Sequence, residues 1–565
     1  MTTMLRWRCP ATTAYICVRS NRESRRLSHA APTLHAIRKS FMRLNSGSDK
    51  RDRKSIADWL DLGRAADTRT LALLAFLFGA AVTLMYRPFS QPEVGDPSIY
   101  DYIAQCILRG QLSYRDVVDI KWPGSTYLSA LAMLVAKPFG LRDILAVRLL
   151  QVLMVGVLTA ITFLVANAYL RSRVAGVAAA VMPLMLPSFG NWMASGTEPK
   201  LPLMMFGLLT LLFIIKDRPF LAGVSSMLSC LCWQPGLMFT GVAFLIFSRY
   251  LTNWRDLRAL KVLLGAAIPF SVMALYFYSR GAFGDLWSLT ISYNYEVFGP
   301  EAKRGVSESL GHLWRVASRI FQDDIVLVLL GLAGYAIFFF ERVRAKFKGK
   351  EVFASPDTFR DALLFPPAVY FIFTLINFQA GPDLLPFIPF VGIFAAYLFV
   401  AAGRWLNSLK RDEKLRSNLR WDAGIPALAA SAMLLLALFR GATYTPTKGT
   451  IRDQDKVFSL VADVMGPNDK LYVHGTTELL VLLNKPNLNP YIDLDWGKDD
   501  YVAGRKYNGS FKALLDEMEA QAPKIVALSR LKVVAHRVEL EQWVAAHYDK
   551  LNVPGYDGIY IRKPQ

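Results

Sequence analysis

Long apolar runs, separated by short polar links, recur along this chain until about residue 440, and they constrain its fold more than any other feature. A helix that crosses a membrane needs roughly 17 to 25 mainly apolar residues. The segments that approach this length are 70–87, 144–168, 174–190, 200–216, 219–235, 236–250, 261–279, 325–341, 362–379, 385–403 and 423–439. The sequence therefore predicts a mainly α-helical protein, a polytopic transmembrane helix bundle of about 11 spans.

The basic residues predict how this bundle is oriented. The formal net charge is +20, and most Lys and Arg residues lie in links between apolar runs. With the N-terminus inside, the basic links near 171–173, 216–218, 249–258, 342–350 and 404–420 all face the cytoplasm, as the positive-inside rule requires. The segments predicted to lie outside are 88–143, 191–199, 281–324, 381–383 and everything after 440.

The same charge bears on the partners of the chain. Basic residues at the membrane surface attract anionic headgroups, which indicates the lipid bilayer as a partner. No basic stripe with interleaved aromatic residues is present, and this argues against nucleic acid.

Three segments differ in composition. Residues 1–69 are polar and Arg-rich, without an apolar core long enough for a signal peptide, and we expect a basic, disordered cytoplasmic tail. Residues 70–440 form the predicted transmembrane domain, with 88–143 as its first outside loop. Residues 441–565 have the texture of a soluble domain and are predicted to lie outside the cytoplasm.

The apolar segment 125–139 is too short for a full crossing. Counting it as a span would invert every later loop and turn the basic clusters outward, against the positive-inside rule. We therefore expect an interfacial or re-entrant helix.

Three acidic residues lie at the predicted outer boundary: Asp96, Glu198 and Asp383. An ionisable group there is costly unless it is paired or hydrated, so each is a functional candidate, although loop acids can also serve only for solvation. Asp96 stands out because it is followed by Pro97, which suits a first helical position and predicts Asp96 as the helix cap. It could act there as a general base on a hydroxyl or amine, or only cap the helix.

Two cations follow in the same loop, Arg115 and Lys121. They could bind a lipid phosphate, the first as a bidentate fork and the second as a point charge. The alternative is that they are interfacial anchors, helped by Trp122.

At these residues the chain resembles the C-type superfamily of integral-membrane glycosyltransferases. The similar branch contains protein O-mannosyltransferases, the aminoarabinose transferase of lipid A and rhizobial galacturonosyltransferase-like proteins. Its first outside loop carries an acid, a Tyr-x-x-x-Ala-Gln helix, a Pro-Tyr-x-Asp segment and an Asp-x-Lys-Pro-Pro-Gly turn. The matching segments here are Gly95-Asp96, Tyr100 to Gln105, Ser113 to Asp116 and Asp119 to Gly124, with looser matches at Gly196 to Pro199 and Gln379 to Pro389.

The resemblance implies a function. Such enzymes transfer a sugar from a polyprenyl-phosphate donor to an acceptor outside the cytoplasm, with inversion at the sugar carbon. Asp96 would deprotonate the acceptor, which could be a lipid, a glycan or a protein. Lys121 and Arg115 would hold the donor phosphate, and Glu198, Asp383 and Tyr100 would shape the site. The expected location is the bacterial inner membrane.

The chain departs from the branch at two points. Many relatives have Asp-Glu where this chain has Asp96-Pro97, which removes an acid that could bind metal. The turn reads Lys121-Trp122-Pro123-Gly124, which could alter the fit of the donor. Cysteine and histidine spacings also lack a metal pattern. We therefore predict no metal and no other cofactor.

Residues 441–565 predict a small α/β unit. Strand patterns lie at 470–474, 524–528 and 558–561, and helical patterns near 454–465, 511–521 and 537–547. Their alternation predicts a layered unit with a mainly parallel sheet. This domain could recognise the acceptor or only cover the site.

Two other functions fit the same pattern. A transporter or lipid flippase would also be polytopic, but its interesting charges usually lie at mid-membrane depth, and no internal repeat is visible. A non-catalytic scaffold with the same fold would use Asp96 only as a helix cap.

Overall fold

The computed structural model of the protein describes residues 67–248, 256–298, 305–347, 356–409, 421–446 and 449–564. The predicted tail, residues 1–69, lies almost entirely outside the described residues. The part that the structure describes is mainly helical, with a small sheet near the C-terminus, as predicted.

The bundle contains sixteen α-helices among the described residues. These are α1 (Thr68–Met85), α2 (Asp96–Leu108), α3 (Gly124–Ala136), α4 (Asp143–Leu170), α5 (Arg173–Met185), α6 (Pro187–Ala194), α7 (Lys200–Ile215), α8 (Pro219–Cys232), α9 (Leu237–Ser248), α10 (Arg258–Ser279), α11 (Phe283–Trp287), α12 (Val306–Phe321), α13 (Ile325–Phe347), α14 (Phe365–Ile376), α15 (Ile388–Leu409) and α16 (Trp421–Ala442). Short 3₁₀ and π-helical turns connect several of them. One of these, the 3₁₀ helix Gly381–Phe387, leads into α15.

Seven helical segments within the described ranges are long and apolar enough to cross a membrane, and an eighth is a bent pair. These eight coincide with predicted spans, so the chain is an integral membrane protein. The predicted count of about 11 is not confirmed. The remaining predicted spans, 200–216, 219–235 and 236–250, correspond to apolar helices of only 10–17 residues.

The bent pair consists of α5 and α6, which meet at an angle of 71°. Pro187 begins α6 and has no N–H to continue the hydrogen bonds of α5, which ends the helix at this point. The bend directs α6 toward the loop that precedes α7. It thereby brings the segment 191–199 to the end of the bundle where the first loop lies.

Helix α3 covers the short apolar segment of the first loop. Its 13 residues extend about 20 Å, less than the roughly 30 Å hydrocarbon core of a bilayer. The length agrees with a helix that does not cross the membrane, and its interfacial or re-entrant placement stays a prediction.

Small residues allow close helix contacts in the bundle. A Cβ on Gly223 of α8 would lie 2.0 Å from the carbonyl oxygen of Val262 in α10, and one on Gly265 would lie 2.1 Å from that of Phe220. The two backbones are therefore in direct contact, which is how membrane helices gain packing energy without a hydrophobic driving force.

The C-terminal domain contains α17 (Ile451–Asp463), β1 (Leu471–His474), α18 (Thr477–Leu483), α19 (Lys498–Lys506), α20 (Phe511–Gln521), β2 (Ile525–Leu528), α21 (Arg537–His547), β3 (Tyr548–Lys550) and β4 (Ile559–Arg562). The strand order is β1-β2-β4-β3. Only the β1–β2 pairing is parallel, whereas β2–β4 and β3–β4 are antiparallel. The predicted mainly parallel sheet is therefore wrong, because β3 follows α21 directly and pairs antiparallel with β4.

Helix α2 connects the two parts of the protein. Tyr102, Ile103 and Cys106 share a hydrophobic core with Phe458 and Leu479 of the C-terminal domain. On its other side, α2 packs against α3 of the first loop. The N-terminus of α2 therefore lies where the bundle and the C-terminal domain meet.

Candidate functional site

A cavity of about 370 Å³ lies between the first loop, the turn before α15 and the C-terminal domain. We call it the central cavity. Its ionisable lining residues are Asp96, Tyr100, Asp119, Lys121, Lys200, Asp383, Asp493, Asp495, Lys498 and Arg530. The structure thus brings together residues that are up to 434 positions apart in the sequence.

Asp96 is the first residue of α2 and follows Gly95, which has a positive φ of 70°. The N-cap residue is Gly95, so the prediction that Asp96 is the cap of the helix is wrong by one position. The Asp96 side chain is 55% exposed, and Arg530 Nη1 lies 3.5 Å from its Oδ1. A helix N-terminus still favours the ionised form.

Charge keeps Asp96 ionised. Partial burial tends to raise the pKa of Asp96, but the positive charges of Lys121, Arg530 and Lys200 outweigh it and hold the pKa below its ordinary value. At neutral pH the cavity therefore contains a carboxylate that can accept a proton.

The position of Asp96 is fixed from the membrane side. Arg148 of α4 is fully buried and donates to Glu93 Oε2 at 2.9 Å and to the carbonyl of Pro88 at 2.7 Å, which anchors the segment before α2. Gly196, with φ +135°, lies so close to α2 that a Cβ there would come 2.9 Å from Pro97 Cβ. The bundle and the loop before α7 together hold the start of α2.

Lys121 points its ammonium group at the hydroxyl of Tyr100, with which it forms a hydrogen bond. The Nζ atom also lies 4.8 Å from the centre of the Tyr100 ring. Among the described residues, no carboxylate lies within ion-pair distance of Lys121, so its charge is not neutralised by a partner. A cation of this kind in a concave site suits an incoming anion.

The backbone beside Lys121 is held rigidly. Gln234 and Asn294 both donate to the carbonyl of Ile120, at 2.8 and 3.1 Å. Tyr114 donates to the carbonyl of Lys121, and the Lys121 N–H donates to Asp119. Burial raises the pKa of Asp119 to about 6. The lysine is therefore presented from a fixed turn.

Lys200, at the start of α7, binds two of the predicted acids. Its ammonium lies 3.2 Å from Glu198 and 3.7 Å from Asp383. All three side chains are almost fully buried. Asp383 also accepts the backbone N–H groups of Gln379 and Ala380, at 2.9 and 3.3 Å. This cluster joins the α6–α7 loop to the turn before α15, so Glu198 and Asp383 lie where they can shape the site.

The C-terminal domain supplies a second charged cluster. Lys498 is buried and lies 2.6 Å from Asp493 and 2.8 Å from Asp495. Trp496, which also lines the cavity, has a positive φ of 55°. A left-handed conformation in a bulky residue is uncommon and is concentrated at functional sites.

Arg115 does not line the central cavity, so the structure does not bring it to the other predicted residues. Its guanidinium pairs with Asp116 at 3.0 Å, and its side chain is 50% exposed. Arg115 was predicted to bind the donor phosphate together with Lys121, because both cations lie in the first loop. Tyr114, the residue before Arg115, has a positive φ of 75°.

Several residues of the site were not predicted: Lys200, Asp493, Asp495, Lys498 and Arg530. The dense charge pattern Asp493-Leu494-Asp495-Trp496-Gly497-Lys498 could have signalled the C-terminal cluster. Lys200 lies two residues from a predicted acid. Arg530 carried no signal, because only the fold brings it to Asp96.

The described residues contain no group of three or more His, Cys, Asp or Glu side chains that could hold a metal ion. The expectation that the protein works without a metal stays a prediction.

The chain resembles known membrane enzymes. No protein-family model matches it. A curated relative, the dolichol phosphate-mannose mannosyltransferase of Haloferax volcanii, is 24% identical over 258 residues, which is 44% of this chain and 53% of that protein. The chain thus matches only about half the length of this relative.

Two solved structures have the same fold. ArnT from Cupriavidus metallidurans bound to undecaprenyl phosphate superposes with a TM-score of 0.55 and 12% identity, over 86% of this chain and 99% of that one. The apo state of the same protein gives a TM-score of 0.54 at 12% identity, with 86% and 98% coverage. These findings confirm, at the level of the fold, the resemblance to C-type glycosyltransferases.

Proposed function

We propose that this protein is a membrane glycosyltransferase that moves a sugar from a polyprenyl-phosphate donor to an acceptor outside the cytoplasm. One observation carries the proposal. Asp96, held ionised, and Lys121, a cation without a carboxylate partner among the described residues, line the same cavity. A transferase of this type needs both groups, a base for the acceptor and a positive charge for the leaving phosphate.

The relatives support the class of donor. The ArnT structure contains undecaprenyl phosphate, and the Haloferax relative is named for dolichol phosphate-mannose. Both ligands are polyprenyl phosphates. Their shared chemistry is one anionic group at the end of a long apolar chain, and Lys121 would bind that group at the level of the lipid headgroups.

The reaction follows from the position of the two groups. The acceptor O–H gives its proton to Asp96 while its oxygen attacks the anomeric carbon. The bond between that carbon and the phosphate oxygen breaks, and the electron pair leaves with the polyprenyl phosphate. Attack from the side opposite the leaving group inverts the anomeric carbon. Lys121 stabilises the charge that develops on the phosphate.

Donor binding would also strengthen the base. In the free protein, Lys121 helps to hold the pKa of Asp96 low. A phosphate on Lys121 neutralises that charge and adds negative charge nearby, so the pKa of Asp96 rises. The carboxylate would become a better proton acceptor only when the donor is in place.

The proposed orientation follows the charge pattern of the links. At one end of the bundle, Arg258 pairs with Asp256 and Asp217, and Arg342 pairs with Asp361. These links belong to the predicted cytoplasmic set. The central cavity is built from segments of the outside set, so we place the cavity and the C-terminal domain on the non-cytoplasmic face.

The test uses the purified full chain in nanodiscs with radiolabelled undecaprenyl-phosphate sugars, one hexose, one uronic acid and one pentose. Membranes from cells that lack the gene serve as acceptor. We expect transfer of label from one donor, and a loss of about 100-fold or more in Asp96→Asn, because a general base contributes that much.

Binding of undecaprenyl phosphate to Asp96→Asn is measured in parallel and should remain, since this carboxylate does not hold the donor phosphate. Full transfer by Asp96→Asn would overturn the proposal. Movement of the lipid across the bilayer without cleavage of the sugar–phosphate bond would identify a flippase instead.

A further inference from the structure

A second cavity, of about 360 Å³, shares a wall with the central cavity. Asp96, Arg530, Ala380 and Pro382 line both cavities, whereas Lys121 lines only the central one. If the donor phosphate binds at Lys121, the second cavity reaches the same carboxylate from a separate space. Its volume lies within the usual range for ligand sites, roughly 300 to 1,000 Å³.

The second cavity has a lining of uncharged polar groups around an aromatic ring. The side chains of Gln91, Asn191, Ser195 and Tyr444 contribute amides and hydroxyls, and Trp192 contributes the ring. Three of them form a chain: Gln91 Nε2 donates to the Tyr444 hydroxyl at 2.8 Å, and that hydroxyl donates to Asn191 Oδ1 at 2.5 Å. The chain fixes the direction in which each group faces.

The carboxylate of Glu198 and the amide of Asn191 complete this lining. Glu198 Oε1 accepts from Lys200, on the side of the central cavity. Asn191 is exposed, and its Nδ2 donates to no other group in the described residues. The lining therefore contains both hydrogen-bond donors and acceptors beside the ring of Trp192.

We propose that the second cavity binds a saccharide as the acceptor and presents one of its hydroxyls to Asp96, an inference that rests on the proposed transferase function. Sugar hydroxyls donate and accept hydrogen bonds at once, which amides, hydroxyls and carboxylates can match. The C–H face of a sugar ring packs on an aromatic side chain such as Trp192.

The charges of the cavity favour this acceptor over an anionic one. Arg530 is the one cation among its lining residues, and it already pairs with Asp96 at 3.5 Å. Asp96 and Glu198 are paired with Arg530 and Lys200, so the lining offers no unpaired cation to a phosphate or carboxylate. The donor phosphate, by contrast, meets at Lys121 a cation with no carboxylate within ion-pair distance among the described residues.

The step is balanced with a saccharide acceptor. The acceptor hydroxyl loses its proton to Asp96 and forms the new C–O bond, and the sugar–phosphate bond breaks. The products are a glycoside and polyprenyl phosphate, and the proton on Asp96 returns to solvent.

Three variants of the full chain in nanodiscs distinguish ligand binding in the second cavity from ligand binding in the central cavity. Asn191→Ala removes an exposed amide, so the fold is kept, and Trp192→Ala removes the ring. Trp405→Ala is the matched control, because Trp405 is exposed on α15 and lines neither cavity.

The first measurement is the binding of radiolabelled neutral oligosaccharides, which is determined by equilibrium dialysis. The oligosaccharides are released by mild acid from the envelope of the host cells. We expect binding to the wild type and a roughly tenfold weaker affinity in Asn191→Ala and Trp192→Ala. Binding of undecaprenyl phosphate should stay within twofold of wild type in all three variants. Absent saccharide binding, or equal binding by every variant, would overturn the inference.

The second measurement uses the transfer assay with acceptor membranes that are treated in three ways. Phosphatase and protease should leave acceptance intact, whereas periodate, which cleaves vicinal diols, should abolish it. Loss after phosphatase would mean a phosphate acceptor, and loss after protease a protein, and either result would overturn the inference. Because saccharide binding is read without the donor, it stands or fails separately from transfer.

Discussion

The two walls of the central cavity each contribute a lysine, and the two lysines have different partners. On the wall formed by the first loop, Lys121 has the hydroxyl of Tyr100 as its hydrogen-bond partner and no carboxylate within ion-pair distance in the described ranges. On the wall formed by the C-terminal domain, Lys498 is buried between Asp493 and Asp495, at 2.6 and 2.8 Å. The residue type is the same, but of these two lysines only Lys121 has no carboxylate within ion-pair distance among the described residues.

This difference shows that the number of basic residues in a cavity does not predict its anion affinity. A lysine between two aspartates contributes no net attraction to a phosphate, and its function is to hold the loop that carries it. Lys200 resembles Lys498, since it lies near Glu198 and Asp383. Arg530 is intermediate, because it is 36% exposed and makes one long contact with Asp96.

The largest effect is expected from the removal of Lys121. We expect Lys121→Ala to lower kcat/KM for transfer by about 1,000-fold, because a charge aimed at the leaving phosphate is lost from a water-poor site. Undecaprenyl phosphate binding should weaken as well. Lys121→Arg should keep part of the activity, and Lys137→Ala, an exposed lysine of the same loop, should be unchanged. Wild-type binding by Lys121→Ala would refute the difference between the walls.

The second test concerns the compensated lysine. Lys498→Met would leave two buried aspartates facing each other, and we expect a loss of roughly 3 kcal/mol in the free energy of unfolding. Thermal unfolding of the full chain, with limited proteolysis of residues 449–564, measures the loss. The triple variant that adds Asp493→Asn and Asp495→Asn should recover much of it. If the triple variant is less stable than the single one, Lys498 does more than neutralise its neighbours.

The third test concerns Arg530. We expect Arg530→Ala to lower kcat/KM by about 10- to 30-fold and to raise the pKa of Asp96, because a nearby positive charge is lost. Activity needs ionised Asp96 and falls as the pH drops through this pKa, so the acidic limb of the pH profile should move to higher pH. Asp119 is present in the wild type and in the variant, so its own titration contributes to both pH profiles. Lys532→Ala, two residues away and exposed, is the control. An unshifted limb would show that Arg530 does not act on the base.

We expect the smallest effect at Arg115, which the sequence predicted to bind the donor phosphate. Arg115 pairs with Asp116 and does not line the cavity, so Arg115→Ala should change transfer by less than about twofold, as for most exposed ion pairs. Steady-state kinetics beside Lys121→Ala measures the contrast. A loss comparable to that of Lys121→Ala would indicate that Arg115 does bind the donor phosphate.

The fold could be predicted where one physical rule dominates. Apolar length located the long spans, and Asp96 and Lys121 were predicted together because both lie in one continuous segment. The C-terminal wall could not be predicted in this way. Arg530 reaches Asp96 only through the packing of α2 on the C-terminal domain, which involves residues far apart in sequence.

Local geometry explains the remaining errors. Strand β4 was predicted, but β3 was missed because it has three residues, of which only Tyr548 is buried, and shows no alternating pattern. Arg115 lies between Asp96 and Asp119 in sequence, but its side chain pairs with Asp116 and does not line the cavity. Proximity in sequence therefore did not predict which side chains line the same cavity.

The contact between Gly196 and Pro97 has a consequence for how this protein can vary. The space for even one methyl group is absent there, so an alanine would act as a wedge between the α6–α7 loop and the start of α2. The wedge would shift the base without touching any substrate. The position of Asp96 would thus depend on the absence of a side chain at residue 196, although Gly196 itself lines neither cavity.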